Sequence, residues 1–278
     1  MAKYGKYVAL IAIAALAVSA LALVGCTTPP TTTPPTTTET TTPPADLKLV
    51  TAGTLTVGSD TAFPPFESMN GNVAEGFDVD LMGALAKEMG IANVVFKTEI
   101  FDTLIPTLKA GGKFDVIASG MTIKADRQKE INFTDPYFDS NQSIAMKAGG
   151  KYTAPADLKG KKVGVQSGTT GESWATENLK PAGAIIVPFK DAVQAFSALQ
   201  AGNVVAVIND LPVTAEVIKD PAKGLAMIAQ IPTGEQYGFG VSKDNPALLA
   251  ALNAALAKVK SSGEYDTIFT KWFGNVPK

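Results

Sequence analysis

From Leu55 onward the chain alternates short apolar runs with segments whose apolar residues recur at helical spacing. Leu55–Ser59 reads as a strand, and Asp60–Ser68 as a non-helical stretch because it carries Pro64 and Pro65. Gly76–Asp80 opens a helix with carboxylates in its first turn and Leu81, Met82, Leu85 and Met89 on one face, stopped by Gly90. Val94–Thr98 reads as a second strand, and Phe101–Lys109 as a short helix closed by Ala110-Gly-Gly112. Phe114–Ala118 is an apolar run typical of a strand buried on both faces, and it leads into the polar run Ser119–Arg127, which can start a helix.

The same plan then repeats. Lys162–Val165 predicts a strand, Gln166–Thr170 a turn, Gly171–Leu179 a helix, Ile185–Phe189 a strand and Ala192–Leu199 a helix. Leu104–Ala118 and Phe196–Ile208 share one layout: a helix, an Ala-Gly stop and a buried strand with a polar exit. The exits are Ser119-Gly120 in one and Asn209-Asp210 in the other. Two βα lobes of like design are expected, each presenting strand ends to a common cleft, where open α/β sheets bind ligands. Phe133–Met146 and Glu235–Phe239 are expected to cross between the lobes as a two-stranded hinge. Helices over Asn245–Ser262 and Tyr265–Phe273 would then return to complete the first lobe.

The first stretch of the chain is of another kind. Lys3 and Lys6 precede an apolar run from about Val8 to Val24 that ends in Leu23-Val-Gly-Cys26. This resembles the lipobox of secreted lipoproteins, so 1–26 is read as a signal peptide ending at a lipid-modified Cys26; an uncleaved membrane anchor is the alternative. Residues 27–46 are dominated by threonine and proline and predict a stiff spacer. Either reading puts the rest of the chain on the extracellular or periplasmic face of the membrane. Asn132-Phe-Thr134 and Asn141-Gln-Ser143 match the N-glycosylation pattern, a short motif with frequent chance matches.

Composition narrows the chemistry. The formal net charge is -2 and no basic cluster stands out, against nucleic-acid binding. Cys26 is the only cysteine, so the fold holds without an internal disulfide, and the absence of histidine removes Ser-His and Cys-His catalysis and the commonest metal ligand. No metal and no cofactor is expected. Ser119–Arg127 instead offers backbone amides, the Thr122 hydroxyl and the planar guanidinium of Arg127, a receptacle for a small carboxylate.

Six stretches together carry a resemblance: Asp60–Glu67, Gly76–Leu81, Ser119–Arg127, Phe133–Phe138, Gly164–Thr170 and Lys271–Gly274. In this order they resemble solute-binding family 3, the polar amino-acid-binding proteins of ABC importers, over nearly all of Leu47–Lys278. The resemblance looks closest to glutamine-binding and lysine/arginine/ornithine-binding members. It implies an α/β, two-lobed periplasmic-binding-protein type II fold, each lobe a mixed sheet flanked by helices. Residues 47–138 with 239–278 would form lobe 1, and 139–238 lobe 2 with the hinge crossings.

Carried over residue by residue, Arg127 would hold a ligand α-carboxylate with the Thr122 hydroxyl and the Thr170 amide. Asp210, the Gly120 carbonyl and Thr122 would take the α-ammonium; Ser119 and Thr169 belong to the same shells. A zwitterion removed from water needs both charges matched, because an unpaired buried charge costs several kcal/mol. Phe63 and Phe101 would sandwich the side chain, with core packing as the alternative for each. Asp60 and Gln166 would face its far end. Gln166 and Asn209 depart from the lysine and histidine of the glutamine-binding pattern, which leaves Asp60 freer to meet a cation and favours a basic amino acid over glutamine. The implied partners are a free amino acid, an ABC permease with its ATPase, and the membrane through the lipid anchor; the chain is expected to act as a monomer and not as an enzyme. A prephenate or arogenate dehydratase on the same scaffold is the competing reading, with Glu67 and Glu172 as the spare candidates for a general acid.

Overall fold

The computed structural model describes residues 46–274. The expected signal peptide with Cys26 and the Thr/Pro stretch up to residue 45 lie outside the described residues. The chain folds in the order β1 (Thr54–Ser59), β2 (Ala62–Phe63), β3 (Glu67–Asn70), β4 (Val73–Glu75), α1 (Phe77–Glu88), β5 (Asn93–Thr98), α2 (Leu104–Ala110), β6 (Val116–Ile117), α3 (Ala125–Glu130) and β7 (Asn132–Phe133). It continues as β8 (Phe138–Lys147), β9 (Lys162–Gln166), α4 (Thr170–Asn178), β10 (Ile185–Phe189), α5 (Ala192–Ala201), β11 (Ala206–Asp210) and α6 (Leu211–Ile218). The last elements are β12 (Leu225–Tyr237), β13 (Gly240–Val241), α7 (Pro246–Ser261) and α8 (Glu264–Phe273).

Two five-stranded sheets are built to one plan, with strand orders β5-β1-β6-β13-β7 and β10-β9-β11-β8-β12. In each, three strands pair in parallel, the fourth (β13 in the first, β8 in the second) runs against them, and the fifth (β7 and β12) pairs antiparallel to the fourth. This is the doubled design expected from the shared helix, Ala-Gly stop and buried strand. The third sheet, β2-β3-β4, is antiparallel and occupies the proline-containing stretch read only as irregular. Its strands are two to four residues long, too short to show a period of two.

The helix faces follow the apolar spacing. Leu81, Met82 and Leu85 are fully buried, each contributing about 1.5–3 kcal/mol by leaving water. α1 packs against α7 and α8, and α7 buries Leu248, Leu252, Leu256 and Val259 on one face. Two expected elements differ in detail. The segment from Phe101 begins as a 3-10 turn over Phe101–Thr103 before α2, and Pro106 is tolerated because it lies in the first turn of that helix. The strand expected over Phe114–Ala118 is regular only at Val116–Ile117, because the Asp115 carboxylate accepts the amides of Val50 and Thr56 at 2.6 and 2.8 Å beside the ladder.

The crossings are β8 and the end of β12, paired antiparallel along most of their length. They are also tied to lobe 1: Tyr137 N–H donates to Tyr237 O at 2.9 Å, Ile123 N–H to Gln236 O at 2.8 Å and Gly238 N–H to Met121 O at 3.1 Å. Aromatic rings fill the space behind them, with Tyr137 stacked on Phe239 at 4.1 Å and Phe138 on Tyr237 at 5.6 Å. Among the described residues no helix is long and apolar enough to cross a membrane.

Candidate functional site

The ends of the parallel strands of both sheets converge on one enclosed space. From lobe 1 come Phe63 in β2, Phe101, Gly120 and Thr122 in the loop after β6, and Arg127 in α3. From lobe 2 come Gln166 at the end of β9, Thr169 and Thr170 at the start of α4, and Asp210 at the end of β11. The space among them is about 10 Å³, room for roughly one water. All nine lining residues are among the eleven picked from the sequence.

Arg127 is buried, and its guanidinium joins the lobes. Nη1 donates to Thr122 O and Nη2 to Gly168 O, both at 2.9 Å, while Cζ stands 5.3 Å from the centre of the Phe101 ring. Burial lowers its pKa, and the charges of Asp126, Asp210 and Glu235 oppose that shift. Gly120 has φ +50, and a Cβ there would lie 2.7 Å from the Phe63 ring, so the loop turns at this point only with glycine.

On the other lobe, the Thr169 hydroxyl caps α4 by accepting the Glu172 amide at 3.1 Å and donates to Gln166 O at 2.7 Å. The Thr170 amide is therefore one of the unpaired first-turn N–H groups of a helix, which favours an anion. Asp210 precedes α6 but makes no side-chain cap, so its carboxyl group turns to the cleft. One oxygen accepts Gln142 Nε2 at 2.5 Å and the other accepts the Tyr237 hydroxyl. Burial pushes its pKa up to about 7, helped by the Glu235 charge and resisted by those two hydrogen bonds and Arg127.

Two of the chosen residues do not line the cavity. Asp60 bonds Gln166 Nε2 at 2.5 Å across the lobes and fronts a neighbouring pocket of about 230 Å³ beside Glu99, Lys190 and Asp191. Burial raises its pKa to about 6, against the Gln166 hydrogen bond and with the Asp191 charge. Ser119 faces inward, where its hydroxyl accepts the Asp60 amide at 3.0 Å and donates to Glu67 at 2.9 Å.

Sequence reasoning passed over Glu235. Its Oε2 accepts the hydroxyls of Thr122 and Thr170, one from each lobe, both at 2.7 Å. Its Oε1 accepts Gln142 Nε2 at 3.1 Å and the Thr233 hydroxyl at 2.9 Å. The pairing of β12 shifts register between Ile231 and Glu235, an irregularity that re-aims the side chain. The site thus sets the Arg127 guanidinium against the carboxyl groups of Asp210 and Glu235, with Asp60 beyond Gln166 beside Lys190 and Asp191.

A two-lobed fold with strand ends and a helix N-terminus closing on a small charged cavity defines a solute-binding protein. The family model of the bacterial extracellular solute-binding proteins, family 3, matches residues 55–275, and the chain belongs to that family. It is 37% identical over 229 residues to ABC transporter arginine-binding protein 1 of Escherichia coli (strain K12), covering 80% of this chain and 91% of that protein. Among solved structures it is similar to an ancestral arginine-binding protein bound to arginine, with TM-score 0.75 and 43% identity over 80% of this chain and 99% of that one. It is also similar to an ancestral amino acid-binding protein described as a precursor of cyclohexadienyl dehydratase, with TM-score 0.73 and 39% identity over 80% and 96% of the two chains.

Proposed function

We propose that this chain is the substrate-binding protein of an ABC amino-acid importer, closing on a free basic amino acid such as arginine or lysine, with glutamine next, and delivering it to a membrane permease. The observation that carries the reading is the pairing of Arg127 on one lobe with Asp210 on the other at a single cavity. Arg127, the Thr122 hydroxyl and the Thr170 amide take the α-carboxylate, and Asp210 with the Gly120 carbonyl takes the α-ammonium. Phe63 and Phe101 flank the aliphatic stem, and Asp60 with Gln166 meets its far end. The carboxyl groups of Asp60, Asp191, Asp210 and Glu235 outnumber the cations Arg127 and Lys190 around them, which favours a ligand with net positive charge.

Because the enclosed space holds only about 10 Å³, admission of an amino acid requires the lobes to part about β8 and β12. The ligand is fully paired only once they meet again, so closure follows from its charges. Cys26 carries the lipid anchor and 27–46 hold the domain off the membrane, a reading supported by Leu23-Val-Gly-Cys26; Cys26→Ser should release the protein from the cell surface.

The test is a thermal-shift screen against the twenty amino acids and ornithine, since a ligand that binds only the folded state raises the Tm. Arginine or lysine should give the largest shift, and Arg127→Ala should abolish it. A mutant that titrates like the wild type in calorimetry would refute the assignment. Dehydratase chemistry is the second reading, favoured by the raised pKa of Asp210 beside the cavity. Glu67 and Glu172 supply no acid there, since Glu67 bonds Ser119 and Glu172 bonds the Gly168 amide. Formation of phenylpyruvate from prephenate, or of phenylalanine from arogenate, by the purified protein would establish it.

A further inference from the structure

Beneath the cavity, lobe 1 buries two carboxyl groups that amino-acid binding leaves unused. Glu67 opens β3 and Asp78 is the second residue of α1, and both are fully buried. Among the described residues neither is in a salt bridge. Each spends one oxygen on the ligand-binding loop. Glu67 Oε1 accepts the Ser119 hydroxyl at 2.9 Å, and that hydroxyl in turn accepts the Asp60 amide at 3.0 Å. Asp78 Oδ2 accepts the Gly120 amide at 3.1 Å and the Tyr137 hydroxyl at 2.7 Å. The remaining oxygens, Glu67 Oε2 and Asp78 Oδ1, are buried and meet no other donor. The two residues are brought side by side: their carboxyl groups grip the adjacent Ser119 and Gly120, and the Asp78 amide donates to Phe66 O, one residue before Glu67, at 2.9 Å.

Two carboxylates in such an enclosure cannot both ionise: each charge is stripped of water, and they repel. A single proton between them removes one charge and gives both orphaned oxygens a partner. We propose that Glu67 holds this proton and donates it to the Asp78 carboxylate, and that the resulting pair is the positioning device for the floor of the amino-acid site. Through Ser119 it fixes the backbone of Asp60, and through the Gly120 amide it fixes the turn against which Phe63 packs. A carboxyl group meant for the far end of the ligand, a carbonyl meant for its ammonium and one aromatic wall are thereby held as one piece. Glu67 and Asp78 are positioning residues and touch no ligand atom. The positioning role rests on the amino-acid-binding reading, whereas the shared proton does not.

The groups facing the pair argue for the same arrangement. Asp60, in the loop after β1, adds negative charge toward Glu67. Tyr137, entering β8, donates to Asp78, and Tyr265 on α8 feels the Asp78 charge. Lys271 and Trp272 on α8 bond Asp80 on the outer side of α1. Among the described residues no cation is among the main groups acting on either member. Burial is the main cause that raises both carboxyl groups above their usual range.

Infrared spectra of the intact protein at neutral pH, recorded in light and heavy water, test the proton directly. The wild type should show an isotope-sensitive carbonyl band of a protonated carboxylic acid, separate from any contribution of Asp210, that is lost in Glu67→Gln and shifts in Asp78→Asn, where Glu67 stays buried but no longer donates to a carboxylate. In Glu67→Gln the amide N–H replaces the acid proton toward Asp78 while its oxygen still accepts Ser119. That variant should therefore keep arginine affinity within about threefold, whereas Glu67→Ala, which leaves buried groups without partners, should weaken it about tenfold or more. If no such band is present in the wild type, or if folded Glu67→Gln loses affinity as fully as Glu67→Ala, the proposal is overturned. A wild type that binds no amino acid overturns the function proposed above, and the band then still decides the shared proton.

Discussion

Asp210→Asn removes one charge from the site and almost nothing else. Asp210 is only 5% exposed; in the variant the amide oxygen still accepts Gln142 Nε2, and the amide NH2 can donate to the Tyr237 oxygen, whose proton turns to Ser140 Oγ. What is lost is the charged partner of a desolvated ammonium. Truncating one side of such a pair costs about 2–5 kcal/mol, a weakening of roughly thirtyfold to a few thousandfold in Kd. The pH dependence is the sharper readout. Only the carboxylate form can match an ammonium, and the group in the free protein has a pKa of about 7. Its ionised fraction therefore falls about tenfold per unit below that value, reaching about one hundredth at pH 5. Wild-type affinity for arginine should rise with pH from 5 to about 7.5 and then level off. Calorimetry near pH 6 in buffers of different ionisation enthalpy should show a proton released on binding. In Asp210→Asn that part of the slope and of the proton release should vanish. An unchanged pH profile in the mutant would refute the assignment of Asp210 to the ammonium.

Three further outcomes follow. Gly120→Ala combines φ +50 with a Cβ driven to 2.7 Å from the Phe63 ring; a lowered Tm, corresponding to about 1–3 kcal/mol, and weaker binding are expected in the same variant. Glu235→Gln keeps acceptors for Thr122 and Thr170 while removing a negative charge that bears on Arg127. Parallel titrations should show arginine losing about tenfold relative to glutamine, the scale of a single charge felt across a partly screened site. Without ligand, Asp60 and Asp210 have pKa values raised to about 6 and 7, and burial raises Asp78 as well. The folded chain then holds protons that the unfolded chain releases above about pH 4, so stability falls as pH rises toward 7. Thermal melts should give a higher Tm near pH 5 than near pH 8, and a Tm that rises across that interval would contradict the buried-acid picture.

Much of this protein can be read from local pattern. Leu81, Met82 and Leu85 recur at helical spacing and are the buried face of α1; Gly90, Ala110-Gly-Gly112 and Ala201-Gly202 punctuate the chain where helices end. The strand exits at Ser119-Gly120 and Asn209-Asp210 pointed to the cleft because a buried strand must end at a sheet edge, and polar residues there have few other uses. Arg127 was legible in its own stretch as a clamp for a small anion, whereas the role of Asp210 was implied by the family resemblance, which the two charges of a zwitterion support. The length of β12, by contrast, depends on pairing with β8 from a segment about 90 residues away in sequence, and nothing within Leu225–Tyr237 alone announces it.

The amino-acid sequence by itself determined the doubled βα plan, the faces the helices bury and the charged residues available at the strand ends, because spacing and side-chain chemistry are local properties. Tertiary structure alone decided which way those residues turn. Ser119 points down to Glu67 instead of into the cavity, Glu235 is swung between Thr122 and Thr170 by an irregularity in β12, and Glu67 meets Asp78 through the packing of β3 on α1. The physical reason is that a side chain's direction and its protonation are set by neighbours distant in sequence, which exist only once both sheets have formed and water has left the space between them.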